Sequence, residues 1–412
     1  MNKATRTFVG LLAGLAAGAA INATGAAWGV TLAKALSPLG ALWLAALKMT
    51  LVPLVFTLIA SGVGVWFQAR GAGRTMLTAL GLFVGLLAFG SLAGAGLMVG
   101  LLKLWPMAPG ALVAGAGAVE APPVLPSIAD QIVGLIPTNP VAAAAQGQMT
   151  PLVVFALLFG LALSRVTPVR RESVATMLAG VADALMVLID VILLLAPVGV
   201  FVLALNLAAN TGLGAAGALL QATLMLCAVL IVGIAFAYPL AWLGGGVGPL
   251  RFGRAALGPQ AMAAGTTSSM ATLPALIEAA ESKLGFPPAI AGALLPLTVS
   301  TFRFGNVMLI SATCVVAAVG AGAHPTLAQG LTACFVVVLT NIGVPGLPAA
   351  AVLYAAEAPG FEAIGAPLSL LPLFIAASTL PDILDTVCNV TADLSVATVV
   401  RRFSPAEEPS AT

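Results

Sequence analysis

Charge is what this sequence has least of: only 7% of its 412 residues are Asp, Glu, Lys or Arg, against 60% hydrophobic. A soluble domain carries roughly 25% charged residues, because its surface must hold water. A chain this poor in charge has to meet another solvent, and lipid is the one available. An ordinary soluble globular protein is excluded on that ground. The net charge of +2 is too small for a nucleic-acid surface, so no nucleic-acid partner is expected. Cysteine is scarce as well. Cys227, Cys314, Cys334 and Cys388 lie inside apolar stretches without CxxC spacing, which leaves neither a disulfide framework nor a metal site and makes them small packing residues. Lys3 and Arg6 precede an Ala-rich apolar run that imitates a secretory leader. So many apolar segments follow that the first helix reads instead as an anchor.

A bilayer takes about 20 residues of apolar helix to cross. Segments of that kind fall at about 7–30, 40–68, 76–104, 130–164, 174–206, 214–245, 289–320 and 367–400. Several are longer than the minimum, which predicts tilted or kinked helices. Two further apolar segments, near 255–280 and 327–358, are interrupted by Gly, Pro, Ser and Thr. One contains Gly265-Thr266-Thr267-Ser268-Ser269-Met270-Ala271-Thr272-Leu273-Pro274, the other Asn341-Ile342-Gly343-Val344-Pro345-Gly346-Leu347-Pro348. Irregular backbone at membrane depth is tolerated only where protein or a water-filled cavity surrounds it. Both segments therefore read as re-entrant helical hairpins. The expected fold class is an all-α integral membrane protein with eight transmembrane helices plus these two hairpins.

The cationic residues agree with that topology. Lys3, Arg6, Arg70, Arg74, Arg165, Arg170, Arg171, Arg251, Arg254, Lys283, Arg401 and Arg402 fall in alternate connections or at the termini. Eight spans put all of them on one side, which the positive-inside rule makes cytoplasmic. Lys34 and Lys103 fall near the other face, beside a Pro-rich loop. The expectation is a multi-pass protein of the cell (inner) membrane with cytoplasmic termini, an extracytoplasmic loop at 105–128 and a cytoplasmic tail at 401–412.

Inside the predicted spans lie Lys48, Asp183, Asp190, Arg303, Asp382, Asp385 and Asp393. An ionisable group at membrane depth costs about 3 kcal/mol on insertion scales, so each is a functional candidate. Snorkelling to an interface or structural pairing accounts for Lys48, Asp183 and Asp190. The last span is different. Asp382, Asp385 or Thr386, Asn389 and Asp393 recur at i, i+3 or i+4, i+7 and i+11, which places them on one helical face. Such a stripe lines a cavity, pairs with another polar helix, or does both, and Arg303 in the preceding span is the natural partner of one carboxylate. Hairpin tips supply the remainder of a solute site, since half-helix dipole ends attract carboxylates and freed carbonyls hold cations. Two hairpins, each followed by a span, suggest inverted repeats with the site between them. These features suit a carrier of a small anionic or zwitterionic solute. An intramembrane aspartyl enzyme needs two carboxylates sharing a proton across a site, whereas these line up along one helix, so no enzyme is expected. An uncoupled, channel-like protein stays open as an alternative.

Six motifs occur in order along nearly the whole chain. Leu47-Lys48-Met49 with Pro53-Leu54-Val55-Phe56, Pro137-Thr138-Asn139-Pro140 with Gly147-Gln148, and Ala196-Pro197-Val198-Gly199-Val200-Phe201 lie in the second, fourth and fifth spans. Ser268-Ser269-Met270-Ala271-Thr272-Leu273-Pro274 and Gly343-Val344-Pro345-Gly346 form the hairpin tips, and Asn389-Val390-Thr391-Ala392-Asp393-Leu394 lies in the last span. In this order the motifs resemble the dicarboxylate/amino acid:cation symporter family, which includes the glutamate transporters. The resemblance implies an elevator-type transporter, embedded in lipid as a homotrimer, for an amino acid or a related dicarboxylate. It implies a scaffold at about 7–68 and 130–206 and a transport domain at about 76–104 and 214–400. No organic cofactor is implied; a sodium ion or a proton is the coupling ion. Carried over by position, the substrate-binding residues are Ser268, Ser269 and Met270, then Gly343, Val344, Pro345 and Gly346, then Asp382, Asp385, Thr386 and Asn389, with Arg303. A substrate α-carboxylate would meet Ser269, the second tip's backbone and Asn389, and Asp382 would hold the amino group. Asn389 and Asp393, with the backbone carbonyls of Thr298 and Phe302, would form a sodium site.

The sequence also departs from the family. Where the seventh span of the family reads Asn-Met-Asp-Gly-Thr, this chain reads Phe302-Arg303-Phe304-Gly305-Asn306. Two phenyl rings replace side-chain oxygens that ligate sodium. Acidic-substrate members carry an Arg three residues after the position of Asp382, where this chain has Asp385. The positive charge has moved one span away, to Arg303. Cation symport stays the family default, with a sodium-independent or proton-coupled exchanger of the same fold as the alternative.

Overall fold

The computed structural model describes residues 3–69, 74–112, 136–343 and 350–403, and among these the protein is helical without strands. The chain opens with α1 (Lys3–Thr24) and α2 (Ala27–Ala69). The latter is 43 residues long, carries Pro38 and Pro53 inside it, and so begins well before the start near 40 that its apolar run suggested. Next come α3 (Arg74–Leu104), the short α4 (Pro140–Ala145) and α5 (Met149–Leu163). Asn139 caps α4, its Oδ1 accepting from the Val141 and Ala142 N–H groups at 3.0 and 3.1 Å. The fifth predicted span, 174–206, is two helices, α6 (Pro168–Leu194) and α7 (Ala196–Thr211). They divide at Leu195 because Pro197 lacks the N–H that would continue the ladder and suits the first turn of a new helix.

The second half holds α8 (Leu213–Pro239), α9 (Pro249–Thr266) and α10 (Leu273–Glu278). It continues with α11 (Pro288–Thr301), α12 (Phe304–Gly320), α13 (Leu327–Gly343) and α14 (Ala350–Ile364). The chain ends on α15 (Leu371–Ala377) and α16 (Thr379–Phe403). Seven helical stretches among the described residues are long and apolar enough to cross a membrane. Of the expected fourth span, 130–135 lie outside the described residues, and α5 is a shorter apolar helix of 15 residues.

Small residues let the helices close on each other. A Cβ at Gly10, Gly14 or Gly18 of α1 would run into the carbonyl oxygens of Pro197, Phe201 and Leu205 of α7. Backbone-to-backbone contact of this kind drives association where no hydrophobic effect operates between helices. Further along, α2 packs on α5, α6 and α7, and the later helices gather around α12 and α16. Every residue of α12 from Phe304 to Ala318 is buried, as is every residue of α16 from Cys388 to Val400. By contrast α6 exposes Val181, Val187, Val191 and Leu194. An apolar surface of that kind belongs against lipid or another protein.

Candidate substrate and ion site

The site is built where α11 stops and α12 begins. The chain leaves helical geometry at Phe302 (φ −102°, ψ 86°) and Arg303 (φ −103°, ψ 68°). The preceding turn prepares the break. Hydroxyls of Thr298, Ser300 and Thr301 donate to the carbonyls of Leu295, Leu297 and Leu297 at 2.9, 3.0 and 2.7 Å, competing with backbone N–H groups for the helix acceptors. A helix that starts inside a protein has N–H groups without intrahelical partners. Asn389 of α16 supplies the acceptor. Its Oδ1 takes the Gly305 N–H at 2.8 Å and the Asn306 N–H at 3.4 Å, so a side chain from a neighbouring helix caps α12. Glycine at 305 permits the approach: a Cβ there would stand 2.7 Å from Asp385 Oδ1 and 2.8 Å from the Cys388 Cβ.

The polar stripe of α16 runs into this junction. Asp385, Thr386, Asn389 and Asp393 are buried, and Asp382, in the first turn, is half-buried. The Thr386 hydroxyl donates to the Asp382 carbonyl at 2.9 Å. Arg303 lies within electrostatic reach of Asp385, Asp382 and Asp393, in that order of strength. Among the described residues no ion pair joins the guanidinium to any of the three, so the expected pairing with one carboxylate is not made directly. Nη1 of Arg303 and Oδ1 of Asp385 are both buried without a hydrogen-bond partner among the described residues. A spare donor and a spare acceptor therefore remain at the junction.

Deeper along the stripe the imbalance is one-sided. Both oxygens of Asp393 and Oδ1 of Asn306 are buried and lack partners among the described residues. Asn306 Nδ2 donates to Asn341 Oδ1 at 2.6 Å, and Asn341 Nδ2 to the Val337 carbonyl at 2.8 Å, which fixes the Asn306 oxygen as an acceptor. Buried acceptors without donors call for an ion, a water or a proton. The carboxylate of Asp393 suits a hard cation as cargo. Asn389 is less suited than its position implied, because its oxygen is already committed to two N–H groups. The Thr298 carbonyl likewise accepts the Phe302 N–H at 2.7 Å. The phenyl rings turn away into an apolar stack, with Phe83–Phe302, Phe302–Phe304 and Phe304–Phe236 centroids 5.0, 6.0 and 5.7 Å apart.

The first tip is a separate local structure. Thr267 turns α9 off with a left-handed backbone (φ 48°), and a single 3-10 turn, Met270–Thr272, leads into α10. Ser268 Oγ accepts the Ala271 N–H at 3.3 Å, and the Ser269 carbonyl accepts the Thr272 hydroxyl at 2.6 Å. Ser268 and Ser269 are half-buried and Met270 is exposed. Of the second tip, Gly343 ends α13, while Val344, Pro345 and Gly346 lie outside the described residues.

Residues 4–403 match the model of the sodium:dicarboxylate symporter family. The chain belongs to that family. It is 28% identical to the neutral amino acid transporter B(0) of Oryctolagus cuniculus, over 96% of this chain and 79% of that protein. It is 25% identical to the proton/glutamate-aspartate symporter of Escherichia coli (strain K12), over 89% of this chain and 85% of that one. The C4-dicarboxylate transport protein of Laribacter hongkongensis is also 25% identical, over 82% and 75%. Members of the sodium:dicarboxylate symporter family are transporters, not enzymes.

Two residues of this family member were not among the candidates drawn from its sequence. Asn306 adds an orphaned acceptor beside Asn389. Glu357, buried in α14 at 5% exposure, acts electrostatically with Asp385 and Asp382. A lone acidic residue in Ala355-Ala356-Glu357-Ala358 was the signal, and it lay inside a segment read only for its tip.

Proposed function

We propose that the protein is a secondary active transporter that moves an amino acid, or a related dicarboxylate, across the membrane coupled to cations by an elevator movement. The observation that carries the substrate class is the unpartnered Arg303 donor beside Asp382, the one carboxylate of the stripe left half-buried. Opposite charges at one junction fit a zwitterion. The amino group goes to Asp382, and the carboxylate goes to the spare Arg303 donor, with Ser269, Asn389 and the second tip's backbone around it. The relatives carry amino acids or C4 dicarboxylates by name, so the order of preference rests on the charges of this junction.

The remaining parts of the reading follow the family. Helices α1, α2 and α4–α7 serve as the scaffold of a homotrimer, and α3 with α8–α16 moves as the transport unit, the pairs α9–α10 and α13–α14 acting as re-entrant hairpins. The partition of Lys and Arg supports cytoplasmic termini in the cell (inner) membrane. For coupling, Asp393 with the Phe302 carbonyl and the remaining lone pair of the Thr298 carbonyl takes at most one sodium, and the fixed charge of Arg303 replaces further ions. Guanidinium is permanently ionised and reaches carboxylates without a diffusible partner. A sodium-independent or proton-coupled exchanger of the same fold is the second reading, favoured by the phenyl stack and the committed Asn389 oxygen. Uptake of L-serine, L-aspartate and succinate into proteoliposomes, with sodium replaced by potassium or choline, separates the two. A steep sodium dependence of the three-ion kind, unaltered by Arg303→Met, contradicts this account of coupling.

A further inference from the structure

Glu357 belongs to neither the substrate stripe nor the Asp393 end of it. The side chain lines a cavity of about 20 Å³ with Thr223, Thr313 and Ser378, the rest of the wall being Leu226, Leu309, Phe374, Ala377 and Pro381. That volume holds about one water molecule. Each hydroxyl proton is already committed to its own helix. Thr223 donates to the Leu219 carbonyl at 2.8 Å, Thr313 to Leu309 at 2.8 Å and Ser378 to Ile375 at 2.7 Å. The three hydroxyls therefore present only lone pairs to the cavity, and an ionised Glu357 presents only lone pairs too. No side chain in the wall has a donor left. One water brings two donors to five acceptor oxygens, those of three hydroxyls and the two of the carboxylate; protonating Glu357 supplies a third donor, the acid O–H, which reaches the water or a hydroxyl oxygen.

The surroundings point the same way. Asp385 and Asp382 of α16 are the charges that act on Glu357, and Cys314 of α12 is the titratable group beside it. Helices α8 and α15 contribute only Thr223 and apolar groups to the wall, and Cys334 of α13 is held by Ser91. The cavity also shares a joint with the substrate stripe, since the Asp382 N–H donates to the Ser378 carbonyl at 2.7 Å. A sodium ion wants several oxygens around it, and this wall, mostly apolar, is sized for one water.

From this geometry we infer that Glu357 is the proton-binding site of the transporter, loading a proton from water together with the substrate and releasing it to water on the other side. Loading forms one O–H bond on the carboxylate and removes one negative charge beside Asp382 and Asp385, which then hold the substrate's ammonium group and Arg303. The inference rests on the transporter reading, and its test is chosen to be separable from it.

Two measurements are made on wild type, Glu357→Gln and Glu357→Asp. The first is the infrared difference spectrum of the purified protein across a pH titration, which needs no substrate. A protonated-acid carbonyl band is expected in wild type, shifted in Glu357→Asp and missing in Glu357→Gln. The second is uptake of L-serine, L-aspartate and succinate into proteoliposomes that are alkaline inside. One proton per substrate makes a gradient of about one pH unit raise accumulation about tenfold. Glu357→Gln should lose that response while keeping exchange of internal for external solute, which moves no net proton. The proposal is overturned if the band is unchanged in Glu357→Gln, or if the variant follows the pH gradient like wild type. It is equally overturned if a sodium gradient alone drives uptake and Glu357→Gln abolishes that drive. Absence of exchange in wild type would count against the transporter reading, leaving the infrared result to decide the proton site.

Discussion

Replacing Asn389 by alanine separates a structural duty from a ligand-binding one. Oδ1 of Asn389 accepts the N–H groups of Gly305 and Asn306 at 2.8 and 3.4 Å, both inside a fully buried helix start. Leaving a buried donor unsatisfied costs about 1–3 kcal/mol. The first bond is well formed and the second near its limit, so Asn389→Ala should destabilise the ligand-free protein by about 2–4 kcal/mol. Thr386→Val is the control. Its hydroxyl donates only to the Asp382 carbonyl of its own helix, so its loss should cost about 1 kcal/mol or less. The assay is thermal or denaturant unfolding of detergent-solubilised protein without substrate, followed by ligand-induced shifts. The reasoning is refuted if Asn389→Ala unfolds with wild type and has lost only its response to ligand. Asn389 would then be a substrate contact and not the cap of α12.

Three further outcomes are expected. Asp382→Ala should abolish amino acid binding in a thermal-shift screen, and unchanged affinity for a preferred succinate would show that no amino group is held there. Neutralising Arg303 or Asp385 alone, as Arg303→Met or Asp385→Asn, should damage stability or transport more than neutralising both. A double-mutant cycle with coupling of about 0.5 kcal/mol or less would deny that they compensate each other. Glu362 Oε2 accepts the N–H of Met149, the first residue of α5, at 2.6 Å, and a carboxylate at a helix start contributes about 0.5–2 kcal/mol. Glu362→Ala should lose that amount and Glu362→Gln less, because an amide oxygen still accepts; unfolding curves with the order reversed would rule the contact out.

Much of this arrangement was legible in the sequence. Low charge and long apolar runs announced a membrane protein, and the spacing of Asp382, Asp385, Asn389 and Asp393 announced one polar face. Other features depend on what sequence separation hides. Pro38 and Pro53 look like helix ends, yet α2 runs through both, while Pro197 does divide the predicted span, because one proline starts a helix and the others are tolerated within one. The role of Asn389 as a cap depends on a partner 84 residues away in the chain, and no local pattern encodes it. Glu357 is a single carboxylate in an apolar segment and shows no period. Its meaning comes from three hydroxyls on other elements whose protons point elsewhere.

The central claim is that a solute with an amino and a carboxyl group is carried by alternating exposure of one saturable site. Counterflow tests it most directly. Proteoliposomes are preloaded with an unlabelled amino acid, diluted into trace labelled solute, and followed without any imposed ion gradient. The account predicts a transient, saturable accumulation of label that Asp382→Ala removes. Label that enters linearly without overshoot, or no entry for any amino acid or C4 dicarboxylate tried, would contradict it.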